Sequence, residues 1–375
     1  VEILYVFPEP LPLPRARGIQ VAHTVAALCA QGLGVHLVHA RADGGPEPFA
    51  SYGLPEPEGL RRSVLSRGLP GPLKDLPVRS NKLFHGRLRP LLASMPPGLV
   101  MVRHLKSALW LLRHAPGIPL LYEAHEVFAE TARTGRGGQV GAMEAFVLDH
   151  AAGVVAQSQA TARGLAERYR TRRTIHVVPN GVAVPETLPA KPWAEAGQRV
   201  LYSGNLFGWK GADVLVEAAR WLPGLSIKIL GGDPQDVETL RHRIPATGAR
   251  VKLAGRVPPA AVAEQLARGC IAVLPNRDVP ESRWTSPLKL FEYMAAGCAI
   301  VASDLPAIRE VLAEDEAQWV RPGDAEALAA GIRELVKDPA RAEGMGARVW
   351  QRARAYTWEA RSRRLVAIMR EVAND

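Results

Sequence analysis

The sequence predicts an α/β protein built from two successive Rossmann-like units, each a parallel sheet covered by helices on both faces. Three observations predict it. Apolar strand-like runs alternate with amphipathic helical patterns along most of the chain. The alternation stops at a polar, proline-bearing stretch near the middle and then resumes. The length of 375 residues exceeds the usual span of one hydrophobic core. Apolar residues make up 47% and charged residues 22%, far from the polar excess of a disordered chain.

The first unit opens with the strand-like VEILYVF, a proline-rich loop PEPLPLPRARG, and a helix from Ile19 to Gln31 with Gly32 as its C-terminal cap. The strand GVHLVHA follows, then further strands at Leu99 to Arg103, Pro119 to His125, Gly153 to Ser158 and Ile175 to Gly181. Residues 183–198 have neither the helical nor the strand period and are expected to be a linker. The second unit reads as a strand from Val200 to Gly204, a helix from Ala212 to Trp221, SIKILGG, and a helix from Pro234 to Ile244. VKLAGRV, a helix from Pro259 to Arg268, IAVLPN, a helix from Pro287 to Ala296, AIVAS and later helices complete it. The last helix, Trp358 to Val372, carries Leu365, Ile368 and Met369 on one side. The expected domains are residues 1–182 and 199–357, with ligand loops at the carboxyl ends of the strands and the two faces opposed across a cleft.

Composition excludes several classes. Cys29, Cys270 and Cys298 stand far apart in apolar stretches, which argues against a disulfide framework or zinc site and for a reducing cytoplasm. No apolar run reaches the length of a membrane span and no basic leader precedes the first strand, so a soluble protein is expected. The formal charge is +10, and between Leu60 and Ala115 eleven Lys or Arg face the single acid Asp75. Such a cluster attracts phosphates of an acidic substrate, a membrane surface or nucleic acid, unless it is only a solvated face. Sparse aromatics and the lack of a binding motif speak against nucleic acid.

The most informative segment is TSPLKLFEYMAAGCAIVASDLPAIREVL, Thr285 to Leu312. Ser286 suits an N-cap and Pro287 the first helical position, leaving the N–H groups of Leu288 and Lys289 free to bind an anion. Glu292, inside this helix, suits the two hydroxyls of a ribose while the helix end holds a diphosphate. A second segment, VLYSGNLFGWKGADVLVEAA, ends a strand at Gly204, which permits close backbone approach, and brings Lys210, a mobile point charge suited to a phosphate, to the start of the next helix.

Together these segments resemble family 4 of the retaining glycosyltransferases, which have the GT-B fold. The resemblance is strong over residues 200 to 312 and loose over the first unit. It implies that Glu292 binds donor ribose and that Gly204, Asn205 and Lys210 approach the diphosphate, although Asn205 stands where the family has Arg. The family's first Glu is replaced by Trp284, making Glu281 the candidate substitute near the transferred sugar. LAGRVPP implies base contacts around Arg256 and Val257, and VVPNGV matches the segment that closes the family's first domain. Gly18 in RARGIQV implies a loop near the donor phosphate or acceptor, with Arg15 and Arg17 available to acceptor charge. His125 in YEAHEVF falls where the family often contacts the donor sugar. YTWEARSRRL resembles the terminal crossover that returns the last helix to the first domain, with Trp358 as an anchor. The Gly-rich stretch Thr131 to Ala142 is expected to be a mobile acceptor lid.

The expected chemistry is sugar transfer from a nucleotide-sugar donor to a glycan, lipid-linked or small-molecule acceptor. No cofactor or metal is expected, because the chain has no DxD and Lys210 with helix N–H groups can stabilise the leaving diphosphate. The expected catalytic groups are His125, Glu281 and Lys210. Peripheral contact with anionic lipid at the inner face of the plasma membrane is a further expectation from the basic cluster. The rival readings are a sugar-nucleotide epimerase of the same fold and a basic nucleic-acid-binding protein.

Overall fold

The computed structural model describes residues 2–13, 15–41, 47–69, 80–94, 98–132, 135–171, 173–284 and 286–374. The chain forms two compact units, Val1–Pro179 with Trp358–Asp375, and Asn180–Thr357.

In the first unit, strands β1 (Glu2–Pro10), β2 (Gly34–Ala40), β3 (Leu60–Leu65), β4 (Leu99–Val102), β5 (Leu120–Ala124), β6 (Gly153–Ala156) and β7 (Ile175–Val177) form one sheet. Its order is β3-β2-β1-β4-β5-β6-β7 with every pairing parallel, Tyr5 of β1 lying opposite Leu37 and Met101. The order reverses between β1 and β4, and the carboxyl ends of those strands flank the switch point where open α/β sheets hold ligands. Ile3, Tyr5 and Phe7 from β1 pack with Val21, Val25 and Leu28 from the first helix. Leu365, Ile368 and Met369 from the last helix, Trp358–Asn374, fill the same core, so the end of the chain belongs to the first unit. Trp358 stacks on His23 with ring centroids 4.9 Å apart.

Local differences from the sequence expectation have physical causes. The strand β3, LRRSVL, lies at the sheet edge and is only partly buried, so it lacks the apolar run that announces the central strands. The first helix spans Ala16–Ala30, placing Gly18 in its first turn instead of in a loop. A Cβ on Gly18 would come within 2.4 Å of the Leu13 carbonyl oxygen and 2.5 Å of the Tyr52 hydroxyl; glycine is needed where the preceding loop crosses the helix. The stretch expected as a mobile lid is largely helical, in Phe128–Thr131 and Gly137–His150; residues 133 and 134 lie outside the described residues. Buried Glu144 ties these helices together, accepting from the N–H of Phe128 at 3.0 Å, the N–H of Ala129 at 3.3 Å and the Tyr169 hydroxyl at 2.6 Å.

The second unit holds β8 (Val200–Ser203), β9 (Ser226–Leu230), β10 (Arg250–Gly255), β11 (Ile271–Leu274), β12 (Ala299–Ser303) and β13 (Gln318–Val320), all parallel in the order β10-β9-β8-β11-β12-β13. Its switch point falls between β8 and β11. The stretch expected as a linker packs as part of this unit. Ala196 is buried in the core with Trp193 against it, and Lys191 donates to the carbonyls of Leu266, Ala267 and Gly269 at 2.9, 3.1 and 2.5 Å. The unit therefore begins at Asn180 instead of residue 199, with Val182 bridged to Thr357. The three cysteines are free and buried, and no helix among the described residues is long and apolar enough to cross a membrane.

Candidate functional site

The loops at the second switch point are held by glycines and backbone bonds. After β8 the chain turns at Gly204 with φ 135°, and its N–H donates to the Leu230 carbonyl at 2.9 Å. Gly231, at φ 117°, lies behind it; a Cβ there would sit 2.1 Å from the Gly204 oxygen. A short 3-10 turn, Gly208–Lys210, leads to Gly211 at φ 70° and the helix Ala212–Ala218. A Cβ on Gly211 would approach the Pro275 carbonyl oxygen to 1.8 Å, and the Arg277 N–H donates to the Trp209 carbonyl at 2.9 Å. The loops following β8 and β11 are thereby locked against each other, with Arg277 also paired to Asp213 at 2.7 Å.

Against these loops stands the helix Leu288–Ala295. Its Tyr293 hydroxyl accepts from the Ser203 N–H at 2.7 Å, which registers the helix to the end of β8. The helix starts one residue later than its sequence suggests. Pro287 occupies the N-cap position with ψ 116° and, having no side-chain acceptor, does not cap the helix end. Ser286 is instead held through its carbonyl, which accepts from Asn180 Nδ2 at 2.9 Å; Thr285 lies outside the described residues. The N–H groups of Leu288 and Lys289 remain without helical partners, as the first turn of any helix dictates.

Lys289 is 6% exposed. Its Nζ lies 4.0 Å from the centroid of the Tyr202 ring and 3.9 Å from the point a Cβ on Gly204 would occupy, and no hydrogen-bond acceptor among the described residues reaches it. Lys210, half-buried, holds its Nζ 5.1 and 5.7 Å from the ring centroids of Trp209 and Phe207. Burial pulls its ammonium down to about 8, against the attraction of Glu292. Burial and then the repulsion of Lys210 pull Lys289 well below the ordinary lysine range. Glu292, three residues after Lys289 and on the same helix face, is pushed up to about 7 by burial, with Lys289 and Lys210 opposing. Two amino groups and one carboxyl group thus share a poorly solvated space beside unmet helix N–H donors.

The remaining candidates in this unit lie around that cluster. Gly255, ending β10, accepts from the Gly231 N–H at 2.6 Å, which sets half-buried Val257 two residues beyond the strand end. Arg256 is exposed and ion-paired with Asp233. Asn205 has its carbonyl bound by the Tyr202 hydroxyl at 2.8 Å. Glu281 lies exposed on the short helix Pro280–Arg283, between β11 and the Lys289 helix. Among the described residues no group of three or more His, Cys, Asp or Glu side chains gathers as a metal site would require.

In the first unit the structure assembles a buried polar network that sequence reading missed. Glu123 on β5 is fully buried and pairs with Arg361 of the last helix at 2.5 Å. Arg361 also donates to the Val178 and Pro179 carbonyls, both at 2.8 Å, and to Thr24 Oγ1 at 3.2 Å. Gln20 donates to Glu123 Oε1 at 2.8 Å and accepts from Arg103 at 2.6 Å. His125 lies at the end of this network, its Nε2 3.3 Å from Glu123 Oε1 but not aligned for a hydrogen bond. Burial first, and Arg103 next, lower His125 to about 4, so the imidazole is neutral near pH 7. A carboxylate inside the apolar run PLLYEAH was the available signal that a buried cation must exist; which cation meets it was not legible.

Gly18 follows the β1 loop, as does Arg17, which pairs with Glu9 at 2.5 Å; Arg15 is exposed at the helix start. Among the described residues, part of the basic cluster is bound to separate partners. Arg61 pairs with Glu2, Arg62 with Glu47 and Glu56, Arg87 binds the Ser66 and Gly68 carbonyls, and Arg103 enters the polar network. Lys82, Arg89, Lys106 and Arg113 are exposed on two helices, while Lys74 and Arg79 lie outside the described residues.

Two family models match the chain. Glycosyltransferase Family 4 covers residues 18–184 and Glycosyl transferases group 1 covers residues 197–338. The phosphatidyl-myo-inositol mannosyltransferase of Mycolicibacterium smegmatis is 29% identical over 205 residues, covering 52% of each protein; the chain spans about half the length of such relatives. A D-inositol 3-phosphate glycosyltransferase of Segniliparus rotundus is 26% identical over 287 residues, covering 70% of this chain and 63% of that protein. Among solved structures, sucrose-phosphate synthase from Thermosynechococcus elongatus superposes with a TM-score of 0.79 at 21% identity over the full length of both chains. Anabaena HepE in complex with UDP-glucose superposes with a TM-score of 0.75 at 16% identity, over 99% of each chain. These likenesses carry the fold, and the two family matches, one on each sheet, carry the membership: the chain belongs to the group 1, family 4 glycosyltransferases and has the GT-B fold.

Proposed function

We propose that this chain transfers a sugar from a nucleotide-sugar donor to an acceptor hydroxyl, with retention of anomeric configuration and without a metal ion. One observation carries the donor half: Lys289, Lys210 and Glu292 converge with free helix N–H groups at the switch point between β8 and β11. Lys210 and the N–H groups of Leu288 and Lys289 neutralise the diphosphate as the bond to the anomeric carbon breaks, and Glu292 accepts hydrogen bonds from the ribose. Gly204 and Asn205 approach the phosphates, Val257 and the backbone at Arg256 face the base, and neutral His125 is available as a hydrogen-bond partner for the sugar. The acceptor oxygen attacks the anomeric carbon on the face the diphosphate leaves, and its proton passes to a departing phosphate oxygen. Glu281 is the carboxylate assigned to the sugar side, and Arg15 with Arg17 to acceptor charge.

The named complex of HepE with UDP-glucose and the relatives named mannosyltransferases support a nucleotide-activated hexose as donor. A phosphate-bearing or lipid-linked acceptor at the inner membrane face fits the relatives named for phosphatidyl-myo-inositol and inositol 3-phosphate, with exposed Lys82, Arg89, Lys106 and Arg113 toward anionic lipid. A vesicle flotation assay with and without anionic lipid tests this contact; equal recovery removes it.

The donor reading is tested by melting the protein with UDP, GDP, ADP, CMP and TDP, with and without magnesium. A nucleotide at a hundred times its dissociation constant stabilises by about 2.7 kcal/mol. One nucleotide raising the melting point equally in both conditions is the expected result. No shift with any of them overturns the proposal.

A further inference from the structure

Resting on the nucleotide-sugar reading above, we propose that the Lys289 ammonium is itself a diphosphate ligand, the second cation of the site beside Lys210. Among the described residues no hydrogen-bond acceptor reaches it. A buried ammonium without a hydrogen-bond acceptor destabilises a fold unless something pairs with it. The face of Tyr202 at 4.0 Å compensates only in part, and the Tyr202 hydroxyl is committed to the Asn205 carbonyl. Among the described residues Glu292 is the carboxylate that acts on Lys289, and it is shared with Lys210.

Geometry sets what the ammonium faces. Lys289 Cδ and Nζ lie 3.6 and 3.9 Å from the point where a Cβ on Gly204 would stand, so the side chain runs alongside the turn that leaves β8. The absent side chain at Gly204 leaves that approach open, and the neighbouring side chain, Asn205, carries no charge. A diphosphate laid on this turn would meet Lys289 from the helix side and Lys210 from the following helix start. A charge-assisted hydrogen bond of this kind contributes about 10- to 100-fold in affinity.

The test uses the full chain and the nucleoside diphosphate that stabilises it most, with its parent nucleoside as the probe lacking phosphate. Dissociation constants are measured by calorimetry for wild type, Lys289→Met, Lys210→Met and the double variant Asn205→Arg/Lys289→Met. Lys289→Met is expected to bind the diphosphate about 10- to 100-fold more weakly, to bind the nucleoside unchanged, and to melt without ligand at or above the wild-type temperature. Asn205→Arg is expected to restore part of the loss by returning a cation to the same turn. If Lys289→Met binds like wild type while Lys210→Met is weakened, the role of Lys289 is overturned and the nucleotide site stands. Loss of affinity with a lowered ligand-free melting point, unrelieved by Asn205→Arg, also overturns it, since Lys289 then serves the fold. If wild type binds no nucleoside diphosphate, the donor reading fails and takes this inference with it.

Discussion

Removing the Arg361 charge should destabilise the first unit severely. In Arg361→Met the Glu123 carboxylate, 0% exposed, loses the partner at 2.5 Å that neutralises it, and the Val178 and Pro179 carbonyls lose their donor. Breaking one side of a buried ion pair costs about 3–5 kcal/mol, because the remaining charge is desolvated and uncompensated. For a unit of this size about 1 kcal/mol moves the melting point by about 2–4 °C, so a drop of about 6–20 °C is expected. Scanning calorimetry at pH 7 measures it and separates the units if they melt independently. Glu123→Gln/Arg361→Met should be more stable than the sum of the single effects by about 1–3 kcal/mol, since both charges are then gone. A loss below about 1 kcal/mol, or additive single effects, would refute the reasoning. Acid titration checks the same network. Burial raises the Glu123 carboxyl, but Arg361, His125 and Arg103 outweigh it and hold it below the ordinary range. Its contribution is therefore complete above the unfolded value of 4.5 and is lost as pH falls through the folded one. His125 drops from 6.5 to about 4, so between those values the unfolded chain takes up a proton the folded chain refuses. Stability should begin to fall below pH 6.5.

Three further predictions concern the second unit. Glu292→Ala should weaken a ribonucleoside diphosphate about 10- to 100-fold and abolish discrimination against its 2′,3′-dideoxy analogue, read by calorimetry; retained discrimination would detach Glu292 from the ribose. Affinity for the diphosphate should fall as pH rises through about 8, where Lys210 loses its proton, with Lys289, Glu292 and the Trp209 and Phe207 rings as its surroundings. Lys210→Arg should move that fall to higher pH; a flat profile in wild type would count against the role of Lys210. Gly211→Ala should cost about 2–4 kcal/mol in urea unfolding, combining a left-handed backbone with a clash on the Pro275 carbonyl, whereas Gly224→Ala, at φ 79° with nothing within 4 Å, should cost about 1 kcal/mol.

Much of the architecture was legible because it is written in short-range patterns. The buried central strands β1, β4, β5, β8, β11 and β12 are continuous apolar runs, and a parallel strand covered on both faces needs such a run. Glycines at 204 and 211, followed by helical periodicity, marked the turn that leaves β8, and Lys289 and Glu292 stood three apart on one helix face. The edge strand β3 escaped because its partial burial demands no apolar run, and the expected lid escaped because its glycines suggested a loop where Glu144 anchors a helix.

Pairing across sequence distance was set by the folded unit as a whole. Arg361 meets Glu123 from 238 positions away, Lys289 lies beside Gly204, and four of the basic cluster, Arg61, Arg62, Arg87 and Arg103, are bound to separate partners. Periodicity states which residues share a face, because that follows from the backbone repeat over a few residues. Which charge that face meets depends on sheet order and on where the last helix returns, and those are settled by packing of the whole unit.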